Sequence, residues 1–103
     1  MHFLLIYDVG PEFLQRRAEF RDEHLQLAWK FSDQGTLIIG GDLLEPTDQA
    51  FLLFQGDSPN VAMEFAEADP YVRHGLVKCW RVRQWNTVVG ETASSPLKPS
   101  ARQ

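Results

Sequence analysis

The stretch His2 to Val9, HFLLIYDV, is apolar at nearly every position and runs into Gly10-Pro11, a strong turn signal. Such a run predicts a first strand. From Pro11 to Gln34 the pattern changes. Charged and apolar residues mix at helical spacing without an internal proline, and Gly35 supplies a C-terminal stop, so a long first helix is predicted. TLIIGGDLLE then reads as a second strand in which Gly40-Gly41 mark a bulge or a close backbone approach. PTDQ turns the chain into a third strand, AFLLFQ, which makes a hairpin with the second. Ser58 suits an N-cap and Pro59 a first helical position. The second helix, VAMEFAEAD, must end before Pro70, which leaves Asp69 at its exit. GLVKCWRVRQW is the last strand.

The element order is βαββαβ. Two helices cover one face of a four-stranded sheet, yet the first and third strands do not alternate as half-solvated antiparallel strands should. A cover for the second face is therefore expected. A second copy of the same sheet supplies it most simply, because large apolar patches are rare on monomers and two-fold dimers are the commonest oligomers. The expectation is a homodimer with stacked sheets; the other reading is a monomer with a mildly apolar face. One domain is expected over residues 1–88. Residues 89–103 are small, polar and proline-bearing, with too little apolar surface to offset the entropy of ordering, and are expected to form a disordered tail.

Composition narrows the partners. At 103 residues and 44% hydrophobic the chain suits one compact domain. A net charge of −4 and a pI near 5.2 give phosphate backbones nothing to attract them, so nucleic acid is not an expected partner. An RNA-recognition module of the same element order needs a basic, aromatic third strand, and QAFLLFQ carries no positive charge. The single cysteine, Cys79, cannot bridge internally, which suits a reducing cytoplasm. The first ten residues are too short an apolar run for a bilayer span, which takes about 20 residues, and they lack the basic start of a signal peptide; no membrane association is expected.

Within the first helix, at about 100° per residue, Phe13, Arg17, Phe20, His24, Leu27, Ala28 and Phe31 share one arc. On a helix that packs against a sheet this arc faces inward, so His24 points toward the sheet. A buried imidazole needs a partner, since an orphaned polar group in a core costs on the order of 1–3 kcal/mol. Asp69 is the first candidate, because it lies four residues after Phe65 on the apolar side of the second helix and Pro70 fixes the exit there. Asp8, at the end of the first strand, is the second. A carboxylate bonded to one imidazole nitrogen fixes the tautomer and leaves the other nitrogen free to move a proton. The plainer alternative is a satisfied core histidine beside a capping aspartate.

RDEHLQLA, GTLIIGGDL and ADPYVRHGLVKCW, taken in order over roughly residues 1–86, resemble the hallmarks of the YCII-related family. The resemblance implies an α+β, ferredoxin-like βαββαβ unit: a four-stranded antiparallel sheet with two helices on one face, paired into a dimeric α/β barrel. It also implies an active site built on a helix histidine and an Asp-Pro aspartate, which fall on His24 and Asp69. Arg21 matches the family pattern too and is expected to orient an anionic substrate group, with a helix-surface ion pair as the alternative. His74 and the KCW strand start depart from the pattern.

Asp8, Tyr7 and Tyr71 are expected to line the cleft at the sheet end, with a phenol as donor; the alternative for the tyrosines is that of core residues with wet tips. The three tryptophans are read as packing residues. No HxxxH or HExxH pair, GxSxG elbow or phosphate-binding glycine loop is present, so neither a metal nor a cofactor is expected. The reading is a small dimeric enzyme in which His24 and Asp69 run general acid/base chemistry of lyase or isomerase type on a small organic substrate. The alternative is a non-catalytic module of the same fold that binds a small metabolite or serves another enzyme.

Overall fold

The computed structural model describes residues 1–100; residues 101–103, the end of the expected tail, lie outside the described residues. The elements are β1 (His2–Val9), α1 (Phe13–Asp33), β2 (Leu37–Asp42), β3 (Gln49–Gln55), α2 (Asn60–Ala68), α3 (Pro70–Arg73) and β4 (Val77–Trp85). The strands form one antiparallel sheet in the order β2-β3-β1-β4, with the helices on one face. The fold is the ferredoxin-like βαββαβ arrangement expected from the sequence, with one addition. The four-residue α3 begins at Pro70 itself, directly after Asp69, and was not legible as a helix.

α1 stops where glycine permits it. Gly35 takes φ +83°, and the Thr36 backbone N–H and hydroxyl both donate to the Phe31 carbonyl, at 3.0 and 2.9 Å. α2 begins one residue later than the sequence predicts. Pro59 is its N-cap, and Ser58 Oγ accepts from Asn60 N–H at 3.3 Å. In β2 the register slips between Leu37 and Ile39, and Gly40 marks the close approach: a Cβ there would lie 3.2 Å from Leu52 Cγ.

The core lies between sheet and helices. Leu5, Tyr7, Leu52 and Phe54 face Ala62, Phe65 and Ala66 of α2, and Phe31 of α1 closes edge-to-face on both Phe54 and Phe65. Every residue of the arc on α1 is at least partly shielded, while Glu19, Glu23 and Lys30 are exposed. Cross-strand register assigns the other face of the sheet. Leu4 stands opposite Leu53 and Arg83, and Ile6 opposite Phe51 and Arg81, so both faces of β1 and β3 are apolar. That double-sidedness is why these strands fail to alternate in the sequence.

After β4 the chain doubles back. Ser94 N–H donates to Thr87 Oγ1 at 2.8 Å and Leu97 N–H to the Val88 carbonyl at 2.8 Å, while the Thr87 hydroxyl meets His2 Nδ1 at 2.7 Å. Among the described residues no helix is long and apolar enough to cross a membrane.

Candidate active site

The site begins with a proline. Pro70 disfavours helical geometry at the residue before it, so Asp69 leaves α2 with an extended backbone (φ −70°, ψ 123°) and turns its carboxylate back into the protein. There it is fully buried and accepts three hydrogen bonds. The Tyr71 backbone N–H donates to Oδ1 at 3.0 Å and so caps α3. The Tyr7 hydroxyl donates to Oδ2 at 2.7 Å, and His24 Nδ1 lies 2.8 Å from Oδ1. Burial, and then the neighbouring Asp69 charge, push the Tyr7 phenol far above its ordinary value, so it stays a protonated donor.

A carboxylate can only accept, so the Nδ1 of His24 carries the proton in this pair. Nε2 then holds the lone pair of the neutral ring. It has no hydrogen-bond partner among the described residues, and no buried side-chain nitrogen or oxygen there lacks one; Nε2 is therefore solvent-accessible. The imidazole is clamped from one side by Tyr71, stacked at 4.0 Å with 14° between planes, and meets the edge of Phe65 at 6.1 Å. Burial also raises the Tyr71 phenol, while the Arg21 guanidinium beside it pulls the other way.

His24 opens onto a groove of about 550 Å³ between α1 and β2. Side chains from successive turns of α1 give the groove a polar end and an apolar end. Arg17 and Arg21 precede His24, and Asp42 at the end of β2 lines the same end, paired with Arg17. Ala28, Trp29 and Ser32 follow it, facing Leu37 and Ile38 at the start of β2. Tyr71 stands beside His24 in the middle. Among the described residues no group of three or more His, Cys, Asp or Glu side chains converges in metal-binding geometry.

His24, Asp69, Arg21, Tyr71 and Tyr7 are thus brought together, and Asp8 is not. Successive residues of a strand point to opposite faces. Tyr7 reaches Asp69 on the helix side, so Asp8 must lie on the other. There Asp8 Oδ1 accepts from Gln49 Nε2 at 2.8 Å, and Oδ2 accepts from Arg81 Nη1 at 2.8 Å and Cys79 Sγ at 3.1 Å. Those hydrogen bonds hold its carboxyl down to about 2. Asp8 neither partners His24 nor lines its groove. The part expected of Tyr7 also changes, for its one O–H is committed to Asp69 and is not offered to a ligand. His74 stacks on Phe20 at 4.3 Å.

Sequence reasoning missed the contribution of Arg17, Trp29 and Asp42. Arg17 stood on the inward arc at one-turn spacing from Arg21, which was the available signal. Trp29, read as a packing residue, is 64% exposed beside the groove. Asp42 gave no signal, because it reaches the site only through the pairing of β2 with β3.

A model of the YCII-related domain family matches residues 1–86. No curated protein sequence matches the chain. Among solved structures it is similar to 5-chloro-2-hydroxyhydroquinone dehydrochlorinase (TftG) from Burkholderia phenoliruptrix AC1100, determined in complex with 2,5-dihydroxybenzoquinone. The TM-score is 0.72 and the identity 24%, over 84% of this chain and 95% of that one. Two Agrobacterium tumefaciens proteins share the fold at lower likeness. Protein Atu4242 matches with a TM-score of 0.55 and 10% identity, over 90% of this chain and 96% of that one. The NIPSNAP family protein Atu5224 matches with a TM-score of 0.54 and 13% identity, over 90% of this chain and 95% of that one.

Proposed function

The chain belongs to the YCII-related domain family, and from that premise we propose that it is a small-molecule enzyme whose acid/base group is His24. The observation that carries the reading is the imidazole itself, on the groove wall, with Nδ1 2.8 Å from the buried Asp69 carboxylate and Nε2 without a protein partner among the described residues. Asp69 is the positioning residue, and Tyr7 acts through it. Nε2 takes a proton from a hydroxyl, or from carbon next to a carbonyl or phenol, and returns it to a leaving or neighbouring atom. The oxyanion formed on the substrate is met by Arg21 and the Tyr71 hydroxyl.

Lyase or isomerase chemistry of this kind can be run by an imidazole without a cofactor. The dehydrochlorinase named above supports the lyase form: loss of HCl from a hydroxylated ring delivers a proton to a base and releases chloride from carbon. A phenolic or quinoid ring suits a groove with apolar walls and a cationic end.

The proposal includes the assembly. A second copy stacked on the helix-free face would cover Leu4 and Phe51, which are half-buried in the single chain beside the already buried Ile6 and Leu53, and Phe51→Lys should turn a dimer into a monomer in analytical ultracentrifugation. The cytoplasm is the compartment that suits its one unpaired cysteine.

One observation favours the second reading, a non-catalytic binding module: Asp69 also caps α3, which is a structural task. Turnover decides between them. With a panel of chlorinated and unchlorinated hydroxyhydroquinones, His24→Ala should lose about 10²-fold or more in rate while remaining dimeric. Equal rates for the variant and the wild type, or no turnover of any panel member by the wild type, would leave the binding module as the function.

A further inference from the structure

The polar end of the groove holds two guanidiniums, and they are not equivalent. Arg17 and Arg21 stand one turn apart on the same side of α1, with a rise of about 6 Å between them at helical pitch. Both line the groove and both act on the Tyr71 phenol. Arg17, however, is held from two sides. Its Nη1 donates to Asp42 Oδ2 at 3.0 Å, and its guanidinium lies over the Phe13 ring at 5.4 Å. Arg21 makes no ion pair with any carboxylate among the described residues.

The placement of Asp42 follows from its strand. Asp42 pairs with Ala50, which faces the helices, so the carboxylate is turned toward α1. Gly40, two residues earlier on the same side, presents no side chain, and the groove floor stays open between Asp42 and Ile38. The polar end therefore contains two cations and one anion, of which one cation is already matched. A ligand with one anionic group finds Arg21. A second anionic group would have to displace Asp42 from Arg17 or sit beside the Asp42 carboxylate, and like-charge juxtaposition opposes its binding even at this part-exposed contact.

We infer that Asp42 is a specificity-determining residue: by occupying Arg17 it restricts the groove to ligands with a single anionic group at Arg21 and a planar apolar body directed toward Trp29. This deepens the reading of His24 and Arg21 given above and rests on it. Asp42 touches neither the imidazole nor Asp69, so its effect falls on which ligand is held and not on how the proton moves.

The test uses two ring probes, benzoate with one carboxylate and isophthalate with two, titrated into the full chain while the Trp29 indole N–H is followed by NMR. The wild type should favour benzoate, and Arg21→Met should weaken it. Asp42→Asn should shift the affinity ratio toward isophthalate by about tenfold or more, and Arg17→Met in that background should reverse the shift. Thermal melts of each variant establish that it is folded. An unchanged ratio in Asp42→Asn, with benzoate still dependent on Arg21, overturns this inference and leaves the Arg21 anion site standing. Benzoate binding that ignores Arg21, or is absent from the wild type, overturns both.

Discussion

Asp69 and Asp8 lie on opposite faces of the same sheet region, and each accepts three hydrogen bonds. Asp69 is fully buried and takes its bonds from Tyr7, His24 and the Tyr71 backbone. Asp8 is partly exposed and takes its bonds from Gln49, Cys79 and Arg81. The number of bonds does not distinguish them; the partners do. An amide, a thiol and a permanently charged guanidinium end the chain of contacts at Asp8. At Asp69 one partner is an imidazole with a second nitrogen, which passes the influence of the carboxylate to a groove. A single step along β1, from Tyr7 to Asp8, separates the two environments.

The comparison breaks first at Asp69. Replacing it with alanine removes the acceptor for the Tyr7 hydroxyl, the His24 Nδ1–H and the α3 cap together, and should cost about 3–5 kcal/mol in urea unfolding. Asp8→Ala should move the urea midpoint far less. A loss at Asp8 equal to that at Asp69 would remove the distinction.

Tyr7→Phe is the next largest. It deletes one buried bond to Asp69 and should cost about 1–2 kcal/mol near neutral pH. The raised Tyr7 phenol adds a pH signature. The folded form favours the protonated state, so the associated stability is present below the ordinary value of 10.0 and declines as the pH climbs above it. Denaturation curves at pH 8 and pH 11 should show a smaller alkaline drop in the phenylalanine variant than in the wild type.

The smallest effect is the acid limb at Asp8. Its carboxyl is lowered from 3.8 to about 2, so its contribution is present above the upper value and is lost as the pH falls toward the lower one. Asp8→Asn should flatten the change in melting temperature across that window, and an identical acid limb in wild type and variant would show that the Gln49, Cys79 and Arg81 contacts contribute nothing.

The same contrast explains what the sequence discloses. His24 was legible because helical periodicity places it among Phe20, Leu27 and Phe31, and Asp69 because Pro70 forces the helix to stop beside an apolar face. Both are local rules. The side of the sheet taken by Asp8 was obscured because β1 is apolar on both faces, so its pattern carries no parity from which to assign one residue inward and the next outward. Asp42 depends on a pairing of β2 with β3 that brings it to Arg17, 25 residues earlier. No local spacing encodes that encounter. α3 has four residues, too few for a period to register.

The cap on α3 has one more consequence. The oxygen that pins the first turn of this short segment is also the oxygen that steers the imidazole, so unravelling that turn removes one of the bonds that fix the carboxylate beneath the ring. Warming the protein should therefore loosen the imidazole when this small coil lets go, ahead of the sheet beneath it, much as a fuse opens before the wiring it protects.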